Sequence, residues 1–346
     1  MDNFSLKQVE RKTLTCSSGN TKLPKVGIII THYNYSDFVE RAINSALAQT
    51  YSNFEIILVD DCSNEEHRQN ILELSSIAEK KIQHIMLEKN VGQLLAFYAG
   101  VEKIDADFYC LLDPDDQYVP TFLEEMLAVH LNPYRYVSMV CSNQMFTADG
   151  RKITSTVVLN RSMTEFSPEA GFAYKARYCD WRDGRWPWSS TSSMMFRRDA
   201  VQVLKPVHKN DIKAFADAYL ATGCRYMGGT IMYDKPLVQR GVHENNTFQQ
   251  NYVIAHNVNP GRGNSKDLQY EMKALALLNI IENGGRELFG NKHLRKISCA
   301  EFPARRLFSI RARSKEARDL ISYYEIMLTF FRSIPRQIRR KRRKAN

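Results

Sequence analysis

The residues with the clearest chemical potential are three acids packed into one short turn, Asp113-Pro114-Asp115-Asp116. Carboxylates at this spacing repel one another unless a cation neutralises them, and their hard oxygen atoms suit Mg²⁺ or Mn²⁺ with a phosphate as a further ligand. A metal held here would offset the charge of a departing diphosphate. Asp and Pro also form ordinary solvated turns and cap helices, so the turn alone leaves both interpretations open.

Two further polar clusters follow predicted strands in the same way as the acidic turn. Thr31-His32-Tyr33-Asn34 comes after an apolar run that begins at Val26, and Asp60-Asp61-Cys62-Ser63 comes after a run that begins at Glu55. Runs rich in β-branched residues predict parallel strands buried on both faces. Because the carboxyl ends of parallel strands share one edge of a sheet, where ligands bind, we expect the three clusters to form one site.

The strands and helices that position these clusters are predicted from an alternating sequence pattern. Four predicted strands alternate with four predicted helices, and the strands lie at residues 26–31, 55–60, 82–87 and 108–112. This order predicts an α/β fold with a doubly wound, mostly parallel central sheet flanked by helices. The later pattern is mixed: strands are predicted at 136–146, 152–159 and 192–196 and near Ile231 and Val238, a helix at 211–222, and mostly helices after residue 250.

Several of these stretches, in order, resemble the family 2 glycosyltransferases, which have the nucleotide-sugar-binding, Rossmann-like GT-A fold. The resemblance covers residues 25 to about 246 and rests on Val26–Asn34, Ser45–Thr50, Glu55–Ser63 and the DxD-like Leu112–Asp116. It implies an enzyme that transfers a sugar, with inversion, from a nucleotide-diphosphate donor. UDP is the favoured nucleotide, and Mn²⁺ or Mg²⁺ is the implied cofactor.

The resemblance also assigns donor-binding roles to residues of this chain. Those expected around the nucleoside base are Thr31, Tyr33 and Asp61, and those expected to line the nucleotide pocket are Asn90, Gly92 and Gln93. Their chemistry suits these roles, because a tyrosine can stack on a base, a carboxylate can accept from a uracil N–H, and glycine permits close backbone approach. For Tyr33, a packed loop aromatic is the alternative.

Within the acidic turn, the resemblance implies Asp116 as the metal ligand, Asp115 as a ligand of the ribose or the metal, and Asp113 as a supporting donor-site residue. The order of roles within this trio stays open. Farther along, the segment 239–246 resembles the family's Arg/His segment, which can reach the diphosphate or the metal. His243 is therefore a candidate metal ligand, with a structural histidine as the alternative.

Inverting transfer also requires a base that removes the proton of the acceptor hydroxyl as its oxygen attacks the anomeric carbon. Phe215–Leu220 resembles the helix-borne acidic motif that supplies this base, which makes Asp217 the candidate. The family more often has an acidic pair here, whereas Ala216 precedes Asp217. A lone helical aspartate is otherwise usually just solvated.

All three tryptophans lie in one short segment beside an arginine, and we interpret this segment as an acceptor loop. Indole faces can stack on sugar rings and a guanidinium can meet a phosphate, so the candidate acceptor residues are Trp181, Arg185, Trp186 and Trp188. The alternative is an aromatic cluster that pins a long loop.

The charge distribution separates a basic tail from the rest of the chain. The formal net charge is +10, and the last 15 residues hold eight Lys or Arg and no acid, which leaves +2 elsewhere. The body therefore gives little sign of a nucleic-acid-binding face. An apolar helix predicted at 321–331 runs into the tail, and together they predict attachment to an anionic membrane surface. Nucleic-acid binding by the tail, or a plain solvated tail, are the alternatives.

The predicted organisation is a leader (1–24), a GT-A domain (25–250, with a nucleotide half at 25–135 and an acceptor half at 136–250), a helical region (251–331) and a basic tail (332–346). Seven scattered cysteines without a CxxC pair, and no signal-peptide or spanning pattern, predict a cytoplasmic protein, peripheral on the cytoplasmic face of the inner or plasma membrane. The expected acceptor is a lipid-linked or surface-polysaccharide or lipopolysaccharide glycan.

Two other functions compete with this one. A sugar nucleotidyltransferase would favour a Gly-rich phosphate loop after the first strand, and residues 31–34 contain no glycine. A degenerate family member would bind only nucleotide or membrane, and it would be favoured if Asp217 pointed away from the cleft.

Overall fold

The computed structural model describes residues 23–77, 82–131, 136–148, 151–155, 163–165, 176–182, 189–207, 216–241 and 265–333. Most of the predicted leader, the basic tail beyond residue 333 and the segment 242–264 lie outside these ranges.

The first half of the chain builds four parallel strands. They are β1 (Val26–His32), β2 (Phe54–Asp60), β3 (Ile82–Met86) and β4 (Phe108–Leu112), paired in the order β3-β2-β1-β4. Every residue of β1 and of β4 is buried, because their almost wholly apolar sequences are covered by helices on both faces. These bounds agree with the predicted strands to within one residue.

The connecting elements are α1 (Ser36–Leu47), α2 (Glu65–Ile77), α3 (Gln93–Val101), β5 (Gln117–Tyr118) and α4 (Phe122–His130). In α1 the buried Val39, Ala42, Ile43 and Ala46 recur at helical spacing and face the sheet. Tyr35 is the N-cap residue of α1 and makes no side-chain cap hydrogen bond. The Ser36 hydroxyl lies 2.8 Å from His67 Nδ1 of α2.

The second half of the sheet is mixed in direction. Its elements are β6 (Met139–Ala148), β7 (Arg151–Ser155), β8 (Met163–Glu165), β9 (Ala176–Cys179), a 3₁₀ turn (Thr191–Ser193), β10 (Met194–Arg197), α5 (Arg198–Val203), α6 (Ala216–Tyr226) and β11 (Thr230–Gln239). β10 runs antiparallel between β4 and β6, and β11 lies parallel to β6. The strands predicted near Ile231 and Val238 are one strand, whose register shifts around Pro236, a residue without an N–H to donate.

The last described part is helical, as predicted. The helices are α7 (Ser265–Glu282), α8 (Gly285–Phe289), α9 (Asn291–Glu301), α10 (Ala304–Arg313), α11 (Lys315–Leu320) and α12 (Tyr323–Ser333). Leu277, Leu294 and Phe302 join the same buried cluster as Ile29 and Phe196 of the sheet, so this region and the sheet share one core. None of the helices in the described ranges is long and apolar enough to cross a bilayer.

Candidate functional site

Strand register brings the three polar clusters to one edge of the sheet. His32 pairs with Asp60 across β1 and β2, and Ile30 pairs with Leu112 across β1 and β4. The loops after β1, β2 and β4 therefore leave the sheet side by side at its carboxyl edge, where ligands of open α/β sheets bind.

Asp61 ties the loop after β2 to the start of α3. Its Oδ1 accepts a hydrogen bond from the Val91 N–H at 2.7 Å, and its Oδ2 accepts from the Gly92 N–H at 2.8 Å. The side-chain amide of Asn90 donates to the Asp61 carbonyl at 3.3 Å. Gly92 has φ 87°, a conformation that favours glycine. The predicted Asp61, Asn90 and Gly92 thus form one contact group.

Asp60 anchors the same loops from inside the protein. His32 accepts from the Tyr35 N–H at Nε2, so its Nδ1 carries the proton and donates to Asp60 Oδ1 at 2.9 Å. Arg68 Nε lies 2.9 Å from Asp60 Oδ2. Burial by itself would raise the pKa of Asp60, but hydrogen bonds from His32, Ser63 and Arg68 lower the pKa well below its ordinary range. Asp60 is therefore charged and holds the loops in place.

Thr31 and Tyr33, the other two residues predicted to hold the nucleoside base, differ in exposure. Thr31 is buried near the end of β1, whereas Tyr33, in the loop that follows β1, exposes 47% of its surface. An exposed ring in this position is free to offer a face to a planar ligand.

Asp113 is held at the end of β4 by three hydrogen bonds. Gln93 Nε2 donates to its Oδ1 at 2.5 Å and the Thr191 hydroxyl donates to its Oδ2 at 3.0 Å, while the Asp113 N–H donates to Ser192 Oγ at 3.0 Å. Gln93 and Asp113, which were predicted separately as donor-site residues, are thus in direct contact. Burial, followed by the charges of Asp116 and Asp115, raises the pKa of Asp113 well above its ordinary value.

Asp116 is buried, with 3% of its surface exposed, and faces the chain after β11. Its Oδ1 accepts from the Gly241 N–H at 2.9 Å. Burial and the charge of Asp115 raise the pKa of Asp116, while hydrogen bonds from Ser192 and Gly241 offset part of the rise. A side chain at position 241 does not fit, because a Cβ there would lie 2.2 Å from the Asp115 carbonyl oxygen.

This donor set fits a hard divalent cation. Burial and the neighbouring charges disfavour the ionised forms of Asp113 and Asp116. A cation beside them would stabilise these ionised forms. Mg²⁺ usually takes one or two protein carboxylates and completes its shell with substrate phosphates and water, and Asp115 and Asp116 can supply that number. Across the described ranges, no three His, Cys, Asp or Glu side chains are grouped to hold a metal by themselves. His243 lies outside those ranges.

Asp217 stands in the first turn of α6, where the positive end of the helix dipole favours a carboxylate. The Ala218 N–H donates to its Oδ1 at 2.7 Å. Burial raises the pKa of Asp217, and the charge of Asp217 in turn contributes to the raised pKa of Asp113. The charge of the candidate base thus acts on the acidic turn, which links the two electrostatically.

Only Trp181 of the four candidate acceptor residues lies in the described ranges. Its half-buried indole packs against the core, with its ring centroid 6.5 Å from that of His293 on α9. This contact agrees with the alternative interpretation, in which an aromatic side chain packs the loop onto the core. Arg185, Trp186 and Trp188 lie outside the described ranges.

Three site residues were not predicted from the sequence: Tyr35, Thr191 and Ser192. Burial, then the charges of Asp115 and Asp113, raise the pKa of Tyr35, so this phenol lies within electrostatic reach of the acidic turn. The one available signal for Thr191 and Ser192 was the polar run 189–193 directly before an apolar strand.

Fold and site together define a class: an α/β protein with a polar, acidic ligand site at the carboxyl edge of its parallel strands. Residues 27–205, just over half of the chain, match Glycosyl transferase family 2. The chain belongs to this family, as its motifs predicted.

Two curated relatives illustrate the match. An uncharacterized glycosyltransferase of Nostoc sp. (strain PCC 7120) is 27% identical over 224 residues, which cover 63% of this chain and 65% of that protein. The putative teichuronic acid biosynthesis glycosyltransferase TuaG of Bacillus subtilis (strain 168) is 33% identical over 104 residues, covering 30% of this chain and 41% of TuaG. The chain thus matches less than two thirds of the length of these relatives.

Solved structures agree on the fold. S. aureus TarS 1-349 in complex with UDP-GlcNAc superposes with a TM-score of 0.53 at 16% identity, over 91% of this chain and 82% of that one. The same fragment in complex with UDP gives a TM-score of 0.51 at equal coverage. The predicted GT-A fold, with a central sheet flanked by helices and a helical C-terminal part, is confirmed.

Proposed function

We propose that this chain is an inverting glycosyltransferase that moves a sugar from a nucleotide-diphosphate donor to a hydroxyl group of a glycan acceptor. The observation that supports the proposal is that Asp61, Asp113 and Asp116 follow the carboxyl ends of neighbouring strands in a member of this family, with the charge of Asp217 among the causes of the raised pKa of Asp113. UDP-sugars are the donors to test first, since the TarS structures contain UDP and UDP-GlcNAc.

In the proposed donor site, Thr31, Tyr33 and Asp61 hold the base, and Asn90, Gly92 and Gln93 line the nucleotide pocket. Asp113, fixed by Gln93 and Thr191, supports the ribose side of the donor. Asp116 and Asp115, with His243 as a further candidate, hold Mn²⁺ or Mg²⁺. When bound, the cation supplies charge neutralisation for the departing diphosphate.

Asp217 is the proposed base. Its carboxylate takes the proton of the acceptor hydroxyl while that oxygen bonds to the anomeric carbon, and the bond from this carbon to the diphosphate oxygen breaks on the opposite face. The configuration at the anomeric carbon therefore inverts. The raised pKa of Asp217 makes its carboxylate a stronger base than a solvated aspartate.

The proposed acceptor is a lipid-linked or surface-polysaccharide or lipopolysaccharide glycan, contacted by the segment that contains Trp181, Arg185, Trp186 and Trp188. The naming of TuaG for teichuronic acid biosynthesis supports this class. The proposed location is the cytoplasmic face of a membrane, with the basic tail 332–346 on anionic lipid and no role for nucleic acid.

A thermal-shift panel tests the donor assignment. UDP-, GDP-, dTDP- and CMP-sugars are compared with and without Mn²⁺, and we expect one base to stabilise the protein selectively and more strongly with the metal, because ligands that bind only the folded state raise its stability. Production of pyrophosphate from a nucleoside triphosphate and a sugar phosphate would instead identify a nucleotidyltransferase and contradict the proposal.

A further inference from the structure

Helix α12 carries a second apolar surface besides the one it buries. Ile326 is buried in the core, whereas Tyr323, Tyr324, Met327 and Phe330 expose 61%, 67%, 55% and 55% of their surfaces. These residues recur at helical spacing and so form one continuous stripe. Exposed apolar patches of this kind mark interaction sites on proteins or membranes.

The opposite side of α12 faces the protein through Ile326 and Glu325. The Ser322 N–H donates to Glu325 Oε2 at 2.7 Å and the Glu325 N–H donates back to Ser322 Oγ at 3.3 Å, which is a capping box. Arg295 Nε of α9 lies 3.5 Å from Glu325 Oε1, and the Thr329 hydroxyl donates to the Glu325 carbonyl at 2.9 Å. The Arg295–Glu325 contact and the burial of Ile326 set the rotation of the helix about its axis, with the apolar stripe outward.

The stripe continues onto α10. Phe308 exposes half of its surface, and its ring centroid lies 5.9 Å from that of Tyr323. The Arg311 guanidinium lies 4.3 Å from the centre of the Tyr323 ring. We call this two-helix surface the aromatic face; its members are Phe308, Tyr323, Tyr324, Met327 and Phe330.

The charge around the aromatic face indicates its partner. Residues 304–346 contain 14 Lys or Arg and three acids, a net charge of +11, so the other 303 residues carry −1. The whole basic character of the chain thus lies on the two helices of the face, the helix between them and the tail that follows. Exposed aromatic groups on a strongly basic stretch of chain, with the Arg311 guanidinium over the Tyr323 ring, match the interface of a bilayer with anionic headgroups.

We propose that the aromatic face is a docking surface for a bilayer that contains anionic lipid, with α12 lying in the plane of the interface. Tyrosine rings suit the headgroup level, and arginine stems cover apolar surface while their charged ends reach phosphates. This deepens the proposed function, on which it rests for the membrane location of the acceptor. It specifies which side chains of the helix predicted at 321–331 make the apolar contact, and it extends that contact to α10.

The docking surface and the candidate base belong to one packed body. Arg295 of α9 contacts Glu325 of α12, and His293 of the same helix lies 2.7 Å, through Nε2, from the carbonyl of Tyr226 at the end of α6. Helix α6 begins with Ala216 and Asp217. Docking through α12 therefore holds the active-site edge in a fixed relation to the membrane.

Vesicle flotation of the full chain tests the proposal. We expect binding to vesicles of equal parts phosphatidylcholine and phosphatidylglycerol, and little to phosphatidylcholine alone. The triple variant Tyr324→Ser, Met327→Ser, Phe330→Ser should bind the anionic vesicles roughly tenfold more weakly. It retains every cation but has less apolar surface to bury in the bilayer. The matched control Leu72→Ser, Val207→Ser removes side chains that are 53% and 50% exposed elsewhere and should bind as the wild type does.

The alternatives give distinct results. Unchanged vesicle binding by the triple variant would overturn the proposal, and if light scattering showed a wild-type dimer that this variant converts to a monomer, the face would be an interface between copies. The single Tyr324→Ser variant answers the same question if the triple variant is unfolded. Nucleotide-sugar hydrolysis without vesicles should be equal in all these variants; its absence from the wild type would contradict the proposed function and not the docking surface.

Discussion

At the scale of single residues, the site depends on groups that hold the acids rather than on the acids alone. The Asp113 side chain accepts hydrogen bonds from Gln93 and Thr191, and the Asp116 side chain accepts one from the Gly241 N–H. The acids themselves stood out in the sequence because of their spacing. Thr191 did not, because its partner is 78 residues away and only the pairing of β4 with β10 brings the two together.

Replacing Thr191 by Val should weaken donor binding and destabilise the fold. Valine has nearly the shape of threonine but leaves Oδ2 of Asp113 without its donor, which costs about 1–3 kcal/mol of unfolding free energy. Thr191→Ser retains the hydroxyl and should behave like the wild type. Urea unfolding and calorimetric UDP titration measure the two effects; equal values for the Val and Ser variants would mean that the hydroxyl does not position Asp113.

Replacing Gly241 by Ala should displace the acidic turn. The new Cβ would lie 2.2 Å from the Asp115 carbonyl, and backbone there cannot give way without moving the proposed metal ligands. We expect UDP binding in the presence of Mn²⁺ to fall by about tenfold or more, since misplacing such ligands by a fraction of an ångström weakens the site. Metal-independent binding should change much less. Equal losses with and without Mn²⁺ would argue that Gly241 serves the fold alone.

At the scale of elements, the parallel strands were predictable and the mixed ones less so. The apolar runs of β1 and β4 are uninterrupted, so the sequence pattern predicts each of them as one strand. In β11, Asp234, Lys235 and Pro236 interrupt the apolar pattern, so two strands were predicted there. β11 is one strand because β6 pairs along its whole length and absorbs the irregularity as register shifts. That pairing is a long-range property, which local periodicity does not encode.

The contact between α4 and β10 predicts an acid-sensitive fold. His130 is buried, its Nε2 lies 2.9 Å from the Met195 carbonyl, and its Nδ1 has no hydrogen-bond partner within the described part of the chain. Burial lowers the pKa of His130 to about 3. In the unfolded chain the imidazole titrates near its ordinary value of about 6.5, so below that pH the unfolded state binds the extra proton and gains free energy.

Stability should therefore fall as the pH decreases from about 6.5 towards 3, by on the order of 2–3 kcal/mol from this histidine by pH 4. His130→Gln lacks the titrating group and should give a flatter dependence, although it is less stable at neutral pH. Urea midpoints measured across this range test the expectation. Parallel curves for wild type and variant would show that His130 is not responsible.

At the scale of the whole molecule, the helical region and the sheet share one buried core. The sequence predicted the helices but suggested a separate region, because patterns within helices do not reveal which core they share. In the structure, Arg225 of α6 is 4% exposed and its Nη2 lies 3.0 Å from Glu301 Oε2 of α9, and Lys273 Nζ lies 3.3 Å from the same oxygen.

Glu301→Ala should destabilise the whole protein. Removing the carboxylate leaves the buried Arg225 charge without this counter-charge, which costs about 2 kcal/mol or more. Because the two regions share a core, we expect one unfolding transition, observed both by tyrosine and tryptophan fluorescence and by circular dichroism, shifted to lower urea. Two separate transitions, with only one of them moved by the substitution, would contradict a common core.

The most direct test of the proposed site measures UDP affinity with Mn²⁺ and donor turnover in parallel, using the nucleotide sugar that most stabilises the protein. Asp116→Ala should lose the metal-dependent part of both. Asp217→Asn should keep the UDP affinity and lose turnover by roughly 10²–10⁴-fold, because it removes the base and leaves the donor site intact. Metal-dependent binding and turnover at wild-type levels in Asp116→Ala would contradict the assignment of the acidic turn as the metal and diphosphate site.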